Sequence, residues 1–143
     1  MIIPDVNLLV YAHNQSSQFH QKARRWWEDS LNGEKSVLIP HICINGFVRL
    51  MTHPKILEEP LSVGEVFEMV DVWLGSGCAS ILAPGERHYS FYTNMLLQVG
   101  VGGKLTTDAY IAAMAMENSS IVFSNDNDFD RFDGLRWENP LVA

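Results

Sequence analysis

Asp5, Asp108, Asp126 and Asp128 are the residues whose type and setting allow joint chemistry in this chain. Asp5 follows the apolar residues Ile2 and Ile3, and Asp126 and Asp128 follow the apolar segment Ile121–Phe123. In open parallel sheets, ligand sites form outside the carboxyl ends of strands, and these acids fall there. Asp108 opens a predicted helix, where the helix dipole favours a carboxylate. Singly, each has a plainer role: a turn residue, a helix-end acid, an ordinary acidic loop. Gathered at one sheet edge, ionised carboxylates repel each other and require a cation. Carboxylate oxygens supplemented by water suit Mg²⁺ or Mn²⁺.

Other chemistries fail on the letters. Asp126-x-Asp128-x-Asp130 opens like a calcium loop, but Arg131 stands where a glycine must turn and Trp137 where a bidentate glutamate must ligate. Asp5-Val6-Asn7 resembles the start of an aspartate-nucleophile phosphatase but lacks the second, acid–base carboxylate. His41, Cys43 and His53 have no zinc-ligand spacing, and Cys43 falls on an apolar helical stripe. The chain carries neither a P-loop nor a G-x-S-x-G elbow.

The elements that must position the acids follow from periodicity and turn residues. Met1–Val10 reads as a strand buried on both faces, with Pro4 requiring a bulge or a strand end near Asp5. Gln18–Leu31 reads as a helix ended by Gly33, and Ser36–Ile39 as a second strand. Pro40 suits the first turn of a helix that Pro54 stops. Ser62-x-x-Glu65 is a capping box opening a helix. Ala79–Leu82 reads as a third strand and Glu86–Val99 as a helix. Thr106/Thr107 are expected to cap a helix from Asp108 to about Asn118, before a fourth strand, Ser120–Ser124. Asn125–Arg131 is polar, and Leu135–Val142 is a candidate edge strand. Strands alternating with helices imply a three-layer α/β sheet protein with a mainly parallel sheet.

The 143 residues predict one domain, 1–143. Hydrophobic residues are 47% and charged residues 19%, which is a globular composition and argues against a disordered chain. Lys+Arg 10 against Asp+Glu 17 gives −7, which excludes a general nucleic-acid coat, because the long-range field repels phosphate. A metal that reverses the local sign removes that objection at a single site. Two cysteines make no disulfide scaffold, and neither a signal peptide nor a membrane-length apolar run is present, so a cytoplasmic protein without membrane contact is expected. Trp26, Trp27 and Trp73 fall on apolar stripes and read as core or dimer contact rather than as base-stacking residues.

Four stretches, in order, resemble one family: Asp5-Val6-Asn7-Leu8-Leu9-Val10, Gly46-Phe47-Val48-Arg49-Leu50-Met51-Thr52-His53-Pro54, Thr107-Asp108-Ala109-Tyr110-Ile111-Ala112-Ala113 and Ser124-Asn125-Asp126-Asn127-Asp128-Phe129-Asp130-Arg131-Phe132. The chain is similar to PIN-domain proteins, in particular the VapC-type toxins of bacterial toxin–antitoxin pairs. The resemblance implies an α/β PIN-like fold, an Mg²⁺- or Mn²⁺-dependent endoribonuclease acting on tRNA or rRNA, a small antitoxin partner and a homodimer. It assigns catalysis to Asp5, Asp108 and Asp126, and metal binding to these with Asp128. It gives Asn7 and Ser124 the task of orienting the carboxylates. Arg24, Arg25 and Arg49 are candidates for positioning RNA, and their plainer reading is a solvated face or an ion pair. The family's helical glutamate is missing at Asn45-Gly46-Phe47, which questions a second metal. Two alternatives stand beside the nuclease: a catalytically inactive RNA- or protein-binding module, and an α/β phosphohydrolase of small substrates.

Overall fold

The computed structural model describes residues 1–142, and Ala143, the last residue of the expected domain, lies outside the described residues. Strand β1 is Ile2–Pro4, followed by helices α1 (Val6–His13) and α2 (His20–Leu31). Strand β2 (Val37–Pro40) leads into α3 (His41–Met51) and α4 (Val63–Leu74). Strand β3 (Ala79–Leu82) leads into α5 (His88–Val99) and α6 (Leu105–Glu117). Strand β4 (Ile121–Phe123), a 3-10 turn (Asn127–Arg131) and β5 (Trp137–Glu138) complete the described chain. The five strands pair in the order β3-β2-β1-β4-β5, and every pairing is parallel.

Strand order decides where a site forms. The chain moves one way from β1 through β2 to β3, then crosses back to β4 on the far side of β1. Right-handed crossovers therefore put α1–α4 on one face of the sheet and α5–α6 on the other. The reversal point is the crevice between the carboxyl ends of β1 and β4, and Asp5 and Asp126 follow those two strands.

The expected strand over Met1–Val10 is corrected to a three-residue strand and a helix. The apolar run is buried throughout, in Ile2, Ile3, Leu8, Leu9 and Val10, so alternation never marks the change. Asp5 makes the change: its backbone is extended, and its Oδ1 accepts the Val6 amide at 2.8 Å as the cap of α1. Pro4 sits at the strand end. Ile2 donates to Ser36 on the β2 side and Asp5 to Phe123 on the β4 side, so Pro4's missing donor faces β2. There the ladder holds only the Ile2–Val37 pair, and nothing is lost.

Other boundaries shift less. Pro40 ends β2 and precedes α3 rather than lying in its first turn. The helix carrying Asp108 begins at Leu105, because Thr106 donates its hydroxyl to the Gly103 carbonyl at 2.8 Å instead of capping. Asp108 still lies in the first turn. Gly100, at φ 81°, ends α5 in the left-handed region. The edge strand shortens to Trp137–Glu138. The Ser62–Glu65 capping box forms as expected.

Under α1, α3 and α4 lies an aromatic cluster. Phe47 is fully buried, with ring centroids 4.7 Å from Trp73 and 5.3 Å from His13, and Trp27 meets Trp73 edge-on at 5.4 Å. His13 Nδ1 lies 2.8 Å from the Leu9 carbonyl, and Nε2 accepts the Trp73 indole N–H at 3.4 Å, which defines the neutral tautomer. Burial accordingly pushes the His13 pKa down. This cluster holds α1, and with it Asp5, against α3. Phe47→Ala is expected to destabilise the fold by about 3–5 kcal/mol through cavity formation, read from the midpoint of a urea melt.

Candidate metal centre

Two acids of the site are caps. Asp5 caps α1, and Asp126 caps the 3-10 turn, with its Oδ1 accepting the Asp128 amide at 2.9 Å. A cap has one strongly preferred conformation, so both carboxylates are held at the carboxyl ends of neighbouring strands. The second oxygen of each remains for other work.

Ser124, fully buried at the end of β4, links them. Its hydroxyl donates to Asp5 Oδ2 at 2.7 Å. It accepts the Asp126 amide at 3.0 Å and the Asn7 side-chain amide at 3.3 Å. A hydroxyl has one proton and two lone pairs. Both lone pairs are taken, so the proton has one destination, Asp5. Asn7 in turn accepts the Asn125 amide on its Oδ1 at 3.4 Å. The network runs on to two side chains that the sequence reading did not single out, where Asn139 donates to Asn125 Oδ1 at 2.9 Å.

One carboxylate oxygen from each of Asp108, Asp126 and Asp128 lies within 4.8 Å of the others. Asp5 stands beside this trio, joined through Ser124, and is more deeply buried. Burial, and after it the negative charges of Asp5, Asp126 and Asp128, push the Asp108 pKa up to about 7. Burial also raises that of Asp5, opposed by the hydrogen bonds from Ser124 and Val6. Among the described residues the one ion pair is Arg24–Glu28, so no cationic side chain neutralises the acids. An all-oxygen donor set with no cationic partner fits a hard divalent cation. Asp130 is not part of it, since its Oδ1 accepts the Trp137 indole N–H at 2.7 Å.

The arginines are dispersed. Arg24 is held by Glu28 at 2.8 Å in an exposed pair. Arg24 and Arg25 line one surface groove with His20, Gln21 and Glu28. Arg49 is exposed in the last turn of α3. Where an acid was expected, Gly46 faces α1: a Cβ there would stand 3.2 Å from Val6 Cγ2. A side chain at this position would press on the residue next to Asp5.

The PIN-domain family model matches residues 2–135. The chain belongs to the PIN-domain family. Ribonuclease VapC33 of Mycobacterium tuberculosis (strain ATCC 25618 / H37Rv) is 36% identical to this PIN-domain chain over 141 residues, covering 99% of each. Ribonuclease VapC37 of the same strain is 36% identical over 140 residues, covering 98% of this chain and 97% of the relative. Among solved structures, VapBC2 from Rickettsia felis bound to a promoter DNA fragment superposes with a TM-score of 0.70 at 20% identity, over 97% of this chain and 98% of that one. Mycobacterium tuberculosis VapC20, a Sarcin-Ricin loop cleaving toxin, superposes with a TM-score of 0.70 at 14% identity, over 95% and 99%. These superpositions establish the PIN fold.

Asp108 ties stability to pH. Its pKa stands above the 3.8 of an unfolded aspartate, so between about 4 and 7 the native state binds more protons than the unfolded one. Its contribution is full below that window and is lost as pH rises through about 7. Asn at this position cannot ionise. Asp108→Asn is expected to raise the metal-free thermal midpoint above pH 7 by roughly 2–4 °C, after discounting for the half-exposed setting, and to leave it near wild type at pH 4. Calorimetry of chelator-treated protein at both pH values measures this.

Proposed function

We propose that this PIN-domain protein is a divalent-metal-dependent endoribonuclease, the toxin of a toxin–antitoxin pair that a small cognate antitoxin restrains. The observation that carries the reading is the meeting of Asp108, Asp126 and Asp128 within 4.8 Å at the sheet's reversal point. Support comes from curated relatives named as VapC ribonucleases at 36% identity. VapBC assemblies among the structural neighbours support the antitoxin partner. The substrate class we assign is RNA, with tRNA or rRNA as targets, and Arg24, Arg25 and Arg49 as residues that steer its backbone.

In this reading Asp5, Asp108, Asp126 and Asp128 hold Mg²⁺ or Mn²⁺, and Asn7 and Ser124 orient Asp5. When bound, the cation supplies positive charge at a phosphoryl oxygen and lowers the pKa of water. Asp108 gives up its proton as the site loads. A carboxylate orients the attacking water in line with the leaving oxygen, so that P–O bond formation and cleavage lie on one axis. The net charge of −7 repels RNA at long range, and the loaded site gives it one local point of attraction.

Residues 1–143 act as one PIN-like domain in the cytoplasm, as a homodimer. No helix among the described residues is long and apolar enough to cross a membrane. Both cysteines are free, which suits a reducing compartment. Exposed apolar side chains, among them Phe67, Val72, Tyr89 and Leu97, supply surface for the dimer and antitoxin contacts.

The second reading, an inactive RNA-binding module, rests on Gly46 occupying the place of an acid. Total RNA incubated with the protein, with and without Mg²⁺ or Mn²⁺, separates the two. Wild type is expected to cut only with metal, and Asp5→Asn and Asp126→Asn to cut at least about a hundredfold more slowly. RNA retention without cutting, unchanged in both variants, would falsify the nuclease reading.

A further inference from the structure

Asn139 lies immediately after β5 and is bonded at both ends of its amide. Its Oδ1 accepts the Leu141 amide at 3.0 Å, and its Nδ2 donates to Asn125 Oδ1 at 2.9 Å. Pro140 stiffens the link between, and Leu141 is buried, so the Asn139 side chain is anchored from the core side. Asn125 sits between Ser124, which holds Asp5, and Asp126, which caps the turn bearing Asp128. Its backbone amide donates to Asn7, and Asn7 donates to Ser124. An unbroken series of hydrogen bonds thus leads from the end of the edge strand to the first acid, although the β4–β5 ladder itself stops at the Ser124 amide and the Glu138 carbonyl. Two side-chain contacts tie the acidic turn sideways to β5: the Trp137 indole N–H to Asp130 at its far end, and Asn139 to Asn125 at the end nearest Asp126.

We propose that Asn139 and Asn125 are positioning residues for the metal centre: their hydrogen bond clamps the Asp126/Asp128 turn to the end of β5 and sets the spacing of the carboxylates. This rests on the divalent-metal reading above. Neither side chain touches the cation, and their effect is on the geometry of the groups that do. Partners of this kind are worth 10–100-fold in metal affinity where they have been removed in other proteins.

The test is a double-mutant cycle on Mn²⁺ affinity, read by electron paramagnetic resonance titration of the full chain, with thermal midpoints measured in parallel. Asn139→Ala and Asn125→Ala are each expected to weaken Mn²⁺ about tenfold, and the double variant to bind no more weakly than either single one. Asn139→Ser retains a short oxygen for the Leu141 amide but cannot reach Asn125. It is expected to lose Mn²⁺ affinity like the alanine variant while keeping the wild-type midpoint. Single variants that bind as wild type, losses that multiply in the double variant, or affinity restored in Asn139→Ser overturn the clamp. Asp126→Asn is the control. If it abolishes Mn²⁺ binding while the asparagine variants do not weaken it, the clamp alone fails. If Asp126→Asn binds as wild type, the metal reading fails and the clamp with it.

Discussion

Mutual repulsion of carboxylates at one edge of a sheet is the constraint around which this molecule is arranged. Asp5, Asp108, Asp126 and Asp128 are brought close enough for burial and neighbouring charge to push the Asp108 carboxyl up to about 7. Among the described residues no basic side chain pairs with them, so the fold holds the acids by other means. Two of them cap short helical segments, and one buried hydroxyl is shared between Asp5 and the Asp126 amide. These bonds are local and directional, and they hold the acids in place although they repel each other. The arrangement is destabilising without a cation, which is a common cost of a functional site.

The rest of the fold delivers those acids to one place. Because the order of the parallel strands reverses between β1 and β4, the chain after each opens into the same crevice. Helix α6 lies on the opposite face from α1 and brings Asp108 in on its first turn. Behind Asp5 the aromatic cluster of His13, Phe47, Trp27 and Trp73 fixes α1. Glu117 at the far end of α6 accepts the Gly85 and Arg87 amides at 2.7 and 2.9 Å, which ties that helix to the loop before α5. The acid-bearing segments of β1, β4 and α6 are therefore each held from behind by packing or by hydrogen bonds.

Gly46 stands where the family pattern has an acid, and it faces α1. Helices α3 and α1 approach so closely that a Cβ at this position would lie 3.2 Å from Val6. A side chain there would press on the Val6 side chain, next to the Asp5 cap. The third close carboxylate of the cluster is Asp128, from the turn after β4.

Much of this was legible in the letters. Asp5, Asp126 and Ser124 stand next to apolar segments whose burial locates strand ends, Asp108 stands at the start of a helix, and alternation of strands and helices implied a parallel sheet. The run Met1–Val10 misled because a strand buried on both faces and a helix buried in a layer look alike when every residue is apolar, and only the Asp5 cap separates them. The start of α6 was missed because Thr106 turns its hydroxyl back to Gly103, a choice set by the glycine-rich turn before it. What the sequence by itself determined was the chemistry available: which residues are acids, that Asp5, Asp126 and Asp128 follow strands, and that Asp108 lies at the start of a helix. Tertiary structure alone decided their grouping, since Asp128 joins the trio while Asp130, two residues on, bonds to Trp137. It alone brought Asn139 to Asn125, because side chains 14 residues apart meet only once β5 has paired with β4. Such distances are set by strand pairing across the sheet, and no local pattern of residue types encodes them.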